Sequence, residues 1–65
     1  MNDWIDIQIK YYGENSVITP AFIWIRDNIP DSDQKQWLLN QRRRVDSQYY
    51  YMALTKCIEF LGGEI

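Results

Sequence analysis

From residue 31 to residue 61 the chain has no glycine and no proline. Nothing else in the sequence limits the fold as strongly. An unbroken stretch of that length, almost half of a 65-residue chain, reads as one long helix or two in tandem. Asp31 or Ser32 can cap its start. With Asp31 as N-cap, Gln34 falls at the third helical position and completes a capping-box spacing. Acids in the first turn suit the helix dipole. Gly62 and Gly63 supply the stop.

Successive helical residues turn by about 100°, which sorts the side chains into faces. Trp37, Leu38, Val45, Tyr49 and Met52 share one apolar face, with Ala53 and Phe60 close to it. Tyr50, Leu54, Cys57, Ile58 and Leu61 lie nearly opposite. A helix with two apolar faces needs two neighbours. A break near Asp46-Ser47, with Ser47 capping a second helix, would remove that requirement. No glycine or proline stands there to make the turn, so the expectation is one helix over 32–61 with a partner on its second face.

Residues 4–26 read as strands. Ile5, Ile7, Ile9 and Tyr11 alternate with Asp6, Gln8 and Lys10, the period of a half-buried strand. Gly13-Glu14-Asn15-Ser16 is a turn cluster, and the β-branched, aromatic run from Val17 to Arg26 suits a second strand. Pairing Tyr12 with Val17 sets Tyr11 opposite Ile18, Ile9 opposite Pro20, Ile7 opposite Phe22 and Ile5 opposite Trp24. That register gathers the apolar residues of both strands on one face. Pro20 cannot donate to a ladder and marks an edge or a bulge. Trp4, Ile23 and Ile25 form an apolar patch on the other face. It either packs under the 26–30 connection or meets a second molecule. The expected fold is therefore α+β: a two-stranded antiparallel hairpin over 4–26 followed by one long C-terminal helix, a single small domain over 1–65.

A chain this short buries only about 60% of the surface its unfolded form exposes, and such domains commonly need a staple. Cys57 is the only cysteine, which rules out a disulfide within the chain. Histidine is absent, which removes the usual zinc donor sets. No metal or other cofactor is expected. Self-association remains, and a homodimer reuses a single patch.

The charge is uneven. Residues 1–33 carry six acids and two bases, and residues 34–65 carry three acids and five bases. Arg42, Arg43 and Arg44 invite a nucleic-acid or acidic-partner reading. On a helix, however, three consecutive side chains fan over about 200°, and Asp46 lies close enough for local ion pairs. The low calculated pI of about 4.8 also counts against a general nucleic-acid binder. Tyr49, Tyr50 and Tyr51 fan in the same way, and packing explains them more simply than base stacking.

Asp27, Asp31 and Asp33 lack the glycine and terminal glutamate of a calcium loop, and capping accounts for them. Cys57 has no histidine to activate it and reads as a small buried hydrophobe. No glycine-rich phosphate loop occurs, and no enzyme activity is expected. No apolar run approaches the roughly 20 residues of a membrane span, and the start of the chain has no signal-peptide pattern. A cytoplasmic protein is the simplest expectation.

The expected function is a small non-catalytic protein-binding module: a regulator, inhibitor or accessory subunit that occupies a partner's surface. Small acidic, aromatic-rich proteins of phages and mobile elements offer a class analogy. The contact residues are expected to be Trp4, Ile23, Ile25, Tyr50, Leu54, Ile58 and Leu61. The alternative is a dimeric nucleic-acid-binding regulator that uses Arg42, Arg43 and Arg44.

Overall fold

A computed structural model of the protein describes residues 1–63. Among them there is no strand. Four helices follow one another: α1 (Asn2–Tyr12), α2 (Thr19–Asn28), α3 (Gln34–Arg44) and α4 (Gln48–Phe60). The expected hairpin and long helix are both overturned, and the fold is all-α.

The first strand gives way to α1 because a second period was present in the same residues. Met1, Trp4, Ile5, Ile9 and Tyr12 recur at helical spacing, and all five are buried or partly buried. The strict alternation would have buried Ile7 and Tyr11 as well, and both are exposed. Asp3 in the first turn and Lys10 in the last complement the helix dipole. Gly13 ends α1 with a φ of 84°, and its N–H donates to the Ile9 carbonyl at 2.9 Å.

The second strand is overturned in the same way. Ile18, Ala21, Phe22 and Ile25 stand at i, i+3, i+4 and i+7, and all are buried. Pro20 lies in the first turn of α2, where its missing N–H costs no helical bond. The 13–18 connection is tied down rather than turned as a hairpin. The Thr19 hydroxyl donates to the Gly13 carbonyl at 2.6 Å. At its other end α2 stops because Ile29 precedes Pro30 and takes an extended conformation.

The long helix is two helices. Val45 and Ser47 are both extended, with ψ of 142° and 128°. Ser47 then caps α4: its side-chain oxygen accepts from the Tyr49 N–H at 3.2 Å and the Tyr50 N–H at 3.5 Å. The break therefore needs neither glycine nor proline. The expected cap at Asp31 does not form. Asp33 holds the N-cap position with a left-handed φ of 54° and no side-chain cap bond, while the Gln34 side chain donates to the Pro30 carbonyl at 2.9 Å. Gly62 and Gly63 do close α4. Gly63 N–H reaches the Ile58 carbonyl at 2.9 Å and Gly62 N–H the Glu59 carbonyl at 3.1 Å, the pair of bonds that defines a Schellman motif.

Helix α1 packs on α2, α2 on α4, and α4 on α3. The core comprises Ile5, Ile18, Ala21, Phe22, Ile25, Leu38, Ala53, Leu54, Cys57 and Ile58. Phe22 sits at its centre, edge-on to Trp4 at 6.1 Å and stacked with Tyr12 at 5.9 Å. Trp24 stacks on Trp37 at 5.6 Å and meets Tyr50 edge-on at 6.0 Å, which ties α2 to α3 and α4. The surface area is 4456 Å², against about 4400 Å² expected for a folded monomer of this mass. The chain thus closes its own core, and the second apolar face assigned to a partner is used up internally.

Candidate protein-contact surface

The break at 45–47 resets the helical phase, and this redistributes the residues expected to meet a partner. Leu54 and Ile58 are fully enclosed in the core, on the side of α4 that faces α2 and α3. Tyr50 and Leu61 are half-buried against the same core. Ile25 is buried too, whereas Ile23 reaches the surface. These two residues lie on different sides of α2, so Trp4, Ile23 and Ile25 do not form one patch. Ile25, Leu54 and Ile58 are not contact residues, because a fully buried side chain cannot meet a partner without unfolding.

Trp4 keeps a place at the surface. Its ring stacks on Phe60 at 4.6 Å, joining the start of α1 to the end of α4. The same two helices carry exposed apolar side chains. Ile7 is 60% exposed and Tyr11 78%, while Met52 is 47% and Phe60 48% exposed. Trp4, Ile7 and Tyr11 stand at i, i+3 and i+7 on α1, and Met52, Lys56 and Phe60 stand at i, i+4 and i+8 on α4. Each set forms one stripe along its helix.

Between the stripes is a depression of about 310 Å³ lined by Trp4, Gln8, Lys56, Glu59 and Phe60. A second depression, of about 230 Å³, lies further round α4, lined by Tyr51, Met52, Thr55, Lys56 and Glu59. Lys56 and Glu59 border both. Neither takes part in an ion pair among the described residues, where the ion pairs are those of Arg26 with Asp6 at 2.9 Å and Asp27 at 3.4 Å. The Asp6 carboxylate raises the Arg26 pKa above its ordinary value.

The arginine triplet occupies the last turn of α3, where cations complement the negative end of the helix dipole. Arg43 and Arg44 are exposed. Arg42 crosses to α4: its guanidinium donates to the Thr55 hydroxyl at 3.3 Å and lies 5.3 Å from the centre of the Tyr51 ring. Arg42 therefore helps to clamp α3 to α4. The ion pairs expected with Asp46 are not among those of the described residues.

Cys57 lies in the core, and burial pushes its thiol up to about 12. An inert, protonated thiol is the result. Among the described residues the one buried polar side chain is Thr19, already bonded to Gly13. Among the described residues no group of three or more acids or cysteines could hold a metal ion, and no helix is long and apolar enough to cross a membrane.

By fold and surface this is a small four-helix protein with a mixed apolar and charged groove between α1 and α4. Comparison with family models, curated proteins and solved structures finds no significant match.

Proposed function

We propose that the chain is a non-catalytic protein-binding module, a regulator, inhibitor or accessory subunit that works by covering a partner's surface through the α1/α4 groove. One observation carries this reading: Ile7, Tyr11, Met52 and Phe60 are large, apolar and exposed along the two helices that flank the Trp4–Phe60 stack. Contiguous apolar patches rimmed by polar groups mark interaction sites, and aromatic anchors are enriched in them. The lack of a catalytic role rests on the interior. Preorganised catalysis needs polar groups held in a water-excluded site, and among the described residues the buried side chains are apolar apart from Thr19 and the inert Cys57. A cytoplasmic location belongs to the same proposal and rests on the lone cysteine.

Site-specific photo-crosslinking tests it. A photoreactive phenylalanine replacing Tyr11 or Met52 gives protein adducts in native lysate, while one replacing Asn28 or Asn40 on other surfaces does not. Equal yields from the two sets would overturn the reading. Nucleic-acid binding through the arginines is the weaker alternative, because Arg42 is engaged with Tyr51 and Thr55. It requires salt-sensitive binding that disappears in Arg43→Glu/Arg44→Glu.

A further inference from the structure

We infer that the partner on the α1/α4 groove is a second copy of this chain, held by an isologous interface that sets Lys56 of each copy against Glu59 of the other. The inference rests on the protein-binding reading above and names the partner. Its ground is the charge pattern of the groove. Lys56 and Glu59 are the charged groups bordering both depressions, they stand one turn apart on α4, and they are of opposite sign. Neither is ion-paired within the described chain. A surface shaped for an acidic or basic partner would carry one dominant sign. This one carries one of each, which makes it complementary to itself.

Two-fold symmetry uses that property. On an isologous interface residue i meets residue j of the partner, and j meets i. The axis that bisects the line from Lys56 to Glu59 therefore produces two equivalent ion pairs and matches both of these charges, while Arg42 beside the second depression is already engaged with Thr55 and Tyr51. The axis also brings the half-exposed Met52 and Phe60 of both copies toward the interface, where their apolar area leaves water. A standard interface takes about 800 Å² from each partner, under a fifth of this chain's 4456 Å² surface.

Charge reversal supplies the test. Wild-type protein sediments as a dimer at high micromolar concentration. Lys56→Glu opposes two glutamates across the axis twice over, and Glu59→Lys opposes two lysines, so each variant alone associates at least tenfold more weakly. An equimolar mixture of the two variants restores both pairs and regains dimer. That rescue requires both variants to be folded and ascribes their defects to the interface. A monomeric wild type, or a mixture that associates no better than its components, overturns the inference. A monomeric wild type that still crosslinks to another protein through Tyr11 or Met52 overturns the second-copy inference alone. A monomer without adducts overturns the protein-binding reading as well.

Discussion

Ser47 is where the third helix becomes the fourth, and one hydroxyl does much to fix the place. Two extended residues flank Asp46, and the Ser47 oxygen then accepts from the N–H groups that α4 leaves unsatisfied. Ser47→Ala should cost about 1 kcal/mol, read as a lower midpoint in urea. A loss under about 0.3 kcal/mol would mean that packing alone sets the break. Cys57 makes a second prediction, with a definite sign. Its thiol titrates from 9.0 in the reference state and from about 12 when folded. Below pH 9 both states are protonated and the thiol costs nothing. Above pH 9 the unfolded chain releases a proton that the folded chain keeps, so stability falls as pH rises, by about 1.4 kcal/mol per unit until the folded pKa is reached. Tyrosines ionise in the same window, so the comparison is with Cys57→Ala. That variant loses packing at neutral pH, and its deficit should shrink steadily from pH 9 to pH 10.5. A constant deficit would mean that the thiol is not shielded from water.

At the scale of the elements, the informative pair is α1 and α2. Both are rich in isoleucine, both alternate or nearly so, and both are helices. In α1 the alternation and the helical spacing share Ile5 and Ile9. They differ over Ile7 and Tyr11, which a strand would bury and the helix exposes. Ile7→Lys therefore separates the two architectures. In a hairpin core it would bury an unpaired charge at a cost of several kcal/mol. On α1 it should change stability by less than about 0.5 kcal/mol, measured at a concentration low enough to avoid association. Some features were legible in the chain: the stop at Gly62-Gly63, the alternative cap at Ser47 and the core-facing stripe of Trp37 and Leu38. The helical spacing of Ile18, Ala21, Phe22 and Ile25 was equally present, but β-branched composition outweighed it. Pro20 fits the first turn of a helix better than the middle of a strand. The candidate surface was hidden for a related reason. Which isoleucines and tyrosines are left over depends on the phase of each helix, and a break without glycine or proline shifts that phase unseen. Trp4 alone of the expected contact residues borders the groove, whereas Met52, on the apolar stripe expected to face the core, is half-exposed.

At the scale of the whole molecule, the question is how far one small core can carry a chain of 65 residues. A domain this size rarely gains more than about 3–5 kcal/mol from its core. Phe22 touches Trp4 and Tyr12 and is completely enclosed, so Phe22→Ala removes a side chain worth about 3–5 kcal/mol and should leave the isolated chain unfolded at room temperature. The wild-type margin is then open to help from association. Anything that binds the folded chain and not the unfolded one stabilises it by mass action, by about 2.7 kcal/mol at a hundredfold excess over Kd. For a domain of this length that corresponds to a rise in Tm on the order of 10–20 °C. A thermal melt at increasing protein concentration should therefore move upward for the wild type. The melt of Lys56→Glu should stay where it is, because that variant keeps its core and loses its complement. Parallel shifts in both proteins would place the association on a different surface, and two flat series would mean that the monomer's own core supplies all of its stability.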